Sequence, residues 1–379
     1  MELKPGYKQT EVGVIPEEWE CIPLGKLTTL QRGYDLPHRN RLPGAFPIIT
    51  SSGVGGTHSE PRVTAPGVVT GRYGTIGEVF YVEEDFWPLN TTLYVRDFHG
   101  NHELFASYLL RTIDFQSHSG KSGVPGVNRN DLHELAVARP PLPEQRAIAT
   151  TLSDLDALIA SLDKLIAKKR DLKQAAMQEL LTGKRRLPGF SGEWEVKRLG
   201  EVCEISMGRT PSRRNPAYWG KGYKWLSIAD LQEKVLAESK EEITELAASE
   251  MAIIPKGTLL MSFKLSIGRL CFAGCDLFTN EAICSFNKLQ ANADYLYYAL
   301  GRVDFSLYGK QAVKGYTLNK ESLKLVEVSY PPLPEQTAIA AILSDMDTEI
   351  SALEQRRDKT RLLKQGMMQE LLTGRIRLV

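Results

Sequence analysis

Apolar residues recur at alternating steps of four and three along two stretches of this chain. In the first they fall at Ile148, Leu152, Leu155, Ile159, Leu162 and Ile166, and in the second at Ile339, Leu343, Met346, Ile350 and Leu353. This heptad spacing puts a narrow apolar stripe on one helix face, suited to a single partner helix. Each stretch begins in prolines, as at Pro140-Pro141-Leu142-Pro143-Glu144, and the first then runs without proline until Pro188. Proline fits the first turn of a helix but not its interior, and Glu144 suits the positive N-terminal end. Strict spacing fades in the second half of each stretch, where Leu172, Met177 and Leu180 answer Leu363, Met368 and Leu371, and Gly183 and Gly374 are natural stops. The two helices are of similar length, and no other segment has a matching apolar period. The pattern therefore predicts that they pair with each other as an antiparallel coiled coil.

The two stretches are copies. Pro140 to Leu187 aligns with Pro331 to Leu378 without a gap, and well over half the positions are identical. A long internal repeat fixes the architecture before any local reading does. The segments ahead of the copies are related more faintly. Glu18-Trp19-Glu20 and Leu24-Gly25 match Glu193-Trp194-Glu195 and Leu199-Gly200. Gly74-Thr75-Ile76-Gly77 matches Leu265-Ser266-Ile267-Gly268, Asn90 answers Asn280, and a helical stretch ending Asp114-Phe115 answers one ending Asp304-Phe305. Short β-rich runs such as Gly67 to Val82 and Gly257 to Phe272 are punctuated by glycine and proline, which predicts mixed, mostly antiparallel β domains with a few helices. The expected organisation is a β-rich domain at 1–139, a helix at 140–187, a second β-rich domain at 188–330 and a second helix at 331–379. The class is α+β. The order is also cyclic, because Thr182-Gly183 leads into Glu193-Trp194 as Thr373-Gly374 would lead into Glu18-Trp19, and a pseudo-twofold particle explains this.

Composition sets the outer bounds. At 379 residues the chain has room for two domains with cores of their own, and 42% hydrophobic with 25% charged residues is the balance of a soluble globular protein. Met1-Glu2-Leu3-Lys4 starts no apolar signal segment, and no apolar run reaches the roughly 20 residues of a membrane helix. The cytosol is the expected compartment and no membrane partner is expected. Cys21, Cys203, Cys271, Cys275 and Cys284 form no zinc pattern, since all six histidines lie in the first half and four of these cysteines in the second. Buried free thiols, and no bound metal, are expected. A net charge of +1 neither marks nor excludes a nucleic-acid partner, because binding DNA needs local positive charge.

Fragments that imitate catalytic motifs do not complete them. Gly120-Lys121-Ser122 lacks the glycine a phosphate-binding loop needs at position 115, which is Phe115, and the second copy reads Gly309-Lys310-Gln311 there. Asn215-Pro216-Ala217-Tyr218 lacks the second proline of the adenine-methyltransferase tetrapeptide. Gly53-Val54-Gly55 follows a strand, Phe46 to Thr50, but no helix follows it. No catalytic residue is predicted. What remains is basic residues beside aromatics and glycines, at corresponding places in both copies. The first domain has Arg32, Arg39, Asn40, Arg41, Arg72, Tyr73, Lys121 and Arg129. The second has Arg209, Arg213, Arg214, Tyr218, Trp219, Lys264, Lys310 and Lys314. Arginine grips phosphate or bridges guanine edges, which makes these the candidate DNA contacts.

These residues resemble the specificity subunit of type I restriction-modification systems. The PPLPEQ lead-in with the LLTG exit, present twice, is similar to the family's conserved spacer regions. Gly208-Arg209-Thr210-Pro211-Ser212 through Tyr218-Trp219-Gly220 to Trp225-Leu226-Ser227-Ile228-Ala229-Asp230 resembles the opening of a target recognition domain, and Gly67 through Gly77 the core of another. One departure is Phe263-Lys264-Leu265 in place of Arg72-Tyr73-Gly74. The resemblance implies that each recognition domain reads half of a bipartite double-stranded DNA site while the helices act as a ruler. It implies two methyltransferase subunits carrying S-adenosylmethionine, and restriction motor-nuclease subunits using ATP and Mg, with no cofactor on this chain. About 25 to 40 helical residues span about 40 to 60 Å, enough to reach successive major grooves about 34 Å apart. The alternative class is a coiled-coil scaffold whose two β domains bind proteins rather than DNA.

Overall fold

The structure, a computed structural model, describes residues 5–119, 126–264, 266–312 and 315–378. It divides into two compact units, one of residues 1–163 and 355–379 and one of residues 164–354. The first is built around Gly67–Gly71, whose five residues are all buried. Val68, Val69 and Thr70 are β-branched and favour extended backbone, and a continuous run without polar alternation suits a strand covered on both faces. Thr92–Asp97 and Val79–Val82 flank it and Thr29–Arg32 closes one edge, giving four antiparallel strands. In a second sheet, Phe46–Thr50 pairs antiparallel with Gly53–His58 and parallel with Trp87–Pro88. The short helix Glu103–Leu110 adds Phe105, Tyr108, Leu109 and Leu110 to the core.

The second unit repeats the plan. Leu259–Ser262 is the fully buried strand, flanked by Ile283–Asn287 and Leu270–Ala273, with Glu204–Met207 at one edge. Val235–Leu236 adds a fifth, parallel strand. Trp219–Leu226 centres a three-stranded sheet, antiparallel to Glu241–Ile243 and parallel to Leu277–Thr279. The helix Ala293–Leu300 takes the place of Glu103–Leu110, capped by Asn292, whose side chain accepts from the Tyr295 amide at 3.0 Å. The mixed, mostly antiparallel β domains read from the sequence are present in both units.

The long helices run Leu142–Leu180 and Leu333–Leu371, 39 residues each. Both end short of a glycine in the left-handed region, Gly183 at φ 69° and Gly374 at φ 72°, as helix stops require. Within each unit, segments of the two helices pair antiparallel. In the first, Ile148, Ala149 and Leu152 share a core with Leu371 and Leu372, and Asp163 meets Arg361 at 2.9 Å and Arg357 at 3.4 Å. In the second, Ile339, Ala340 and Leu343 pack with Leu180 and Leu181, and Lys169 meets Glu349 at 2.6 Å.

The seam turns polar in the second halves, where the strict apolar spacing fades. Ile148, Leu152, Leu162, Ile339, Leu343 and Ile350 are buried, and Leu155, Ile159, Met346 and Leu353 are half-buried. Leu172 and Leu363 instead point outward, at 47% and 55% exposure. Stepping on from Ile166 by three and four reaches Lys169 and Lys173, and from Ile350 reaches Arg357, Thr360 and Lys364. The stripe continues through half-buried Lys169, Lys173, Arg357 and Lys364, whose long stems cover apolar surface while their charges pair, and through buried Thr360, whose hydroxyl donates to the Arg356 carbonyl at 2.8 Å.

His133 gives the first unit a pH dependence. Its Nε2 accepts a hydrogen bond from the Leu30 amide at 2.9 Å, which only the unprotonated ring nitrogen can do. Burial, helped by the Arg129 charge, holds its pKa below the ordinary value of 6.5. The folded state therefore binds fewer protons than the unfolded one, and stability present above pH 6.5 is lost as pH falls through that value towards the folded pKa. His133→Gln keeps an acceptor without titrating. Its melting temperature is expected to fall less than the wild type's between pH 7 and 5.5; parallel curves would remove His133 from the account.

Candidate nucleic-acid interface

The first unit gathers candidate residues from distant parts of the chain. Arg32, Arg72, Tyr73 and Arg129 line one cleft of about 390 Å³ with Leu93, Gly126, Val127 and Asn128. The strand Gly67–Gly71 delivers Arg72 at its end, and the Arg72 amide donates to the Thr91 carbonyl at 2.9 Å. The guanidinium then lies 4.6 Å from the centre of the Tyr73 ring, an arrangement that orients arginine without neutralising it. Gly126 is required opposite, because a Cβ there would lie 2.1 Å from Tyr73 Cε1. Asn128 caps the turn of helix that begins at Arg129, accepting from the Asn130 amide at 3.0 Å.

The cleft's charges differ in commitment. Arg32 grips both oxygens of Asp35 at 2.9 and 3.1 Å, and the Asn90 side-chain amide donates to the same carboxylate. Arg72 and Arg129 have no carboxylate partner among the described residues. Exposed Arg39 and Asn40 sit on a single helical turn, His38–Asn40, outside the cleft's lining, and Arg41 is turned towards the carbonyls of Leu36 at 3.4 Å and Gly55 at 3.5 Å. Lys121 lies outside the described residues.

In the second unit the candidates form a different arrangement. Arg213 stacks 3.7 Å from the centre of the Trp219 ring and 5.2 Å from that of Trp225, and its guanidinium holds Glu241 through two bonds of 2.5 and 2.8 Å. That bonding holds the Glu241 carboxyl below the usual range. Tyr218 donates to Glu250 at 2.7 Å, Trp219 to the Ser212 carbonyl at 3.3 Å, and Arg209 to the Glu250 carbonyl at 3.4 Å. Arg214 is exposed with no carboxylate partner among the described residues, and Lys264 lies 5.5 Å over the Phe263 ring. The Thr210 hydroxyl, donating to the Glu281 carboxylate, lowers that group's pKa, helped by a backbone hydrogen bond and least by the Lys264 charge. Lys314 and the side chain of Lys310 are outside the described residues.

Two features had no signal in the sequence. Exposed Arg62 stacks 4.8 Å from the Trp87 ring centre and 6.0 Å from that of Tyr34, again without a described carboxylate partner. Trp87 is 25 residues away from Arg62 in the chain, and only the fold brings them together. The second is the role of the PPLPEQ glutamates. Glu144 accepts from Trp19 Nε1 at 2.8 Å and Arg377 Nε at 2.6 Å, and Glu335 accepts from Trp194 Nε1 at 3.0 Å and Arg186 Nε at 2.7 Å. The adjacent glutamines are buried as well, each bonding the amide just before its unit's short helix, His102 for Gln145 and Asn292 for Gln336, at 2.9 Å. The repeated motif thus anchors each long helix to the β domain before it.

Each unit holds a β-rich body anchored to a long helix. A sequence model of the type I restriction modification DNA specificity domain matches residues 16–168 and again 191–362, so the chain belongs to that family. Among relatives, it is 24% identical to the putative type I restriction enzyme MjaX specificity subunit of Methanocaldococcus jannaschii, over 98% of this chain and 96% of that one. With the MjaIX specificity subunit of the same organism it shares 34% identity, over 41% of this chain and 38% of the relative's length. The crystal structure of the type I restriction-modification S subunit from M. genitalium has the same fold, with a TM-score of 0.65 at 16% identity and 98% coverage of both chains. That of the HsdS subunit from Thermoanaerobacter tengcongensis gives 0.52 at 20% identity, covering 96% of this chain and 98% of that one. Among the described residues no helix is long and apolar enough to cross a membrane.

Proposed function

We propose that this chain reads a bipartite site in double-stranded DNA, one half-site per unit, for a methyltransferase and restriction complex of the cytoplasm. The observation that carries this reading is the first unit's cleft, where half-buried Arg72, oriented on Tyr73, and exposed Arg129 have no carboxylate partner among the described residues. Such groups can take phosphate or the guanine edge. The chain supplies specificity, not chemistry. Two methyltransferase subunits bring S-adenosylmethionine and flip the target adenine from the duplex, and motor-nuclease subunits bring ATP and Mg. Leu172, Leu362 and Leu363, exposed on the long helices, are apolar surface on which those subunits would dock.

Both long helices are unbroken over 39 residues, so their length should set the gap between half-sites. Adding four residues to each, between Lys164 and Leu165 and between Gln355 and Arg356, lengthens them by about 6 Å. The methylated motif should then keep both half-sites and gain about two base pairs of gap, at about 3.4 Å each. An unchanged gap in an active complex contradicts the ruler. Absence of salt-sensitive duplex binding, with the methyltransferase subunits present, contradicts the DNA reading itself.

A further inference from the structure

The same three side chains join each β domain to the helices at a second point. In the first unit the Tyr108 hydroxyl, from the short helix Glu103–Leu110, donates to Asp156 Oδ2 at 2.7 Å, and Lys364 donates to Asp156 Oδ1 at 2.5 Å. In the second, Tyr298 from the helix Ala293–Leu300 donates to Asp347 Oδ2 at 2.5 Å, and Lys173 donates to Asp347 Oδ1. Each lysine also sits over the tyrosine ring, 5.3 Å from the centre in one unit and 5.4 Å in the other. One carboxylate therefore fixes two distances: to the β domain's own helix and to the opposing long helix.

The surroundings reinforce these joints by different means. Arg111 lies 5.0 Å over the Tyr108 ring and 4.0 Å from Asp156. Lys234, from a loop of the β domain, donates to the Tyr298 hydroxyl at 3.0 Å and lies 3.2 Å from Asp294 and 4.0 Å from Asp347. The tyrosines are 2% and 1% exposed, so neither ring can swing without opening the core.

Geometry separates this joint from the Glu–Arg–Trp anchor. Asp156 follows Glu144 by twelve residues, as Asp347 follows Glu335, which is about 18 Å along the helix axis. A body held at one point swivels, whereas one held at two points that far apart keeps its tilt. We infer that Asp156 and Asp347 are positioning residues for spacer selection: they lock the tilt of each recognition domain on its helices, so that half-sites at the wrong separation are rejected. This rests on the reading that each unit reads one half-site.

The test uses the full chain assembled with its methyltransferase subunits. Methylation rates are measured on duplexes whose half-sites are fixed and whose gap varies by one or two base pairs. The wild type should methylate one gap length strongly and its neighbours weakly. The Asp156→Asn, Asp347→Asn double variant keeps the side-chain shape and should lose about tenfold of that preference, equivalent to about 1.4 kcal/mol of discrimination. Its half-site sequence preference should be unchanged. The Tyr108→Phe, Tyr298→Phe variant, which removes only the hydroxyls, should shift the gap profile in the same direction and decides the matter if the aspartate variant does not assemble. A wild-type gap profile in whichever variant decides, or a changed base preference within a half-site, overturns the inference. Wild-type complex that methylates without a split site overturns the half-site reading instead.

Discussion

Replacing Glu335 by alanine is expected to destabilise the second unit by about 3 kcal/mol. Its carboxylate is 0% exposed and takes both Arg186 Nε and Nη2 at 2.7 Å with Trp194 Nε1 at 3.0 Å. Removing it leaves a guanidinium and an indole N–H without their acceptor, a larger loss than the net worth of the ion pair. Arg186 keeps 27% side-chain exposure and a second bond to the Gly192 carbonyl at 2.6 Å, so hydration offsets part of the loss and places it at the low end for a broken buried pair. Glu335→Gln retains an acceptor and should fall between. Denaturant midpoints measure both, and Trp194 fluorescence should report the change locally because the indole touches the altered group. A loss below about 1 kcal/mol would mean the enclosed carboxylate is dispensable. Glu144→Ala, which deprives Arg377 and Trp19, should do the same to the first unit.

Arg72→Ala should weaken DNA binding by about ten- to a hundredfold if the guanidinium bridges a base, and relax preference in only one half-site. A phosphate contact would instead weaken all sequences alike and reduce the salt slope by about one. Among the described residues Arg72 has no carboxylate partner to leave behind, so folding should be little affected. Arg213→Ala should behave oppositely. Its guanidinium is held by Glu241 and stacked on Trp219, so the variant should unfold more readily and lose the second half-site only as a consequence. Melting curves and binding isotherms on the two variants separate these outcomes. Equal loss of both half-sites with Arg72→Ala would remove the cleft from base reading.

The parts legible in the sequence were those governed by period and repetition. Ile148, Leu152, Ile339 and Leu343 announce the helices because one apolar stripe faces one partner, and the copies announce that the plan occurs twice. The run Gly67 to Gly71 reads as a buried strand for the same local reason. What escaped depends on partners distant in sequence. The apolar spacing fades around Leu172 and Leu363, and only the fold shows that Lys173 and Lys364 carry the seam there by pairing with Asp347 and Asp156. Arg213 looks like a free cation because Glu241 lies 28 residues on, on the strand Glu241–Ile243. Glu144 reads as a helix-end charge, and only the fold brings Trp19 and Arg377 onto it. Arg62 carries no local mark at all.

The most direct test of the central claim is a map of methylated adenines in cells expressing this chain with its cognate methyltransferase subunit. One split motif is expected, two short half-sites separated by a gap of constant length. A continuous motif, or no new methylation while the methyltransferase subunit is shown to bind, would contradict it.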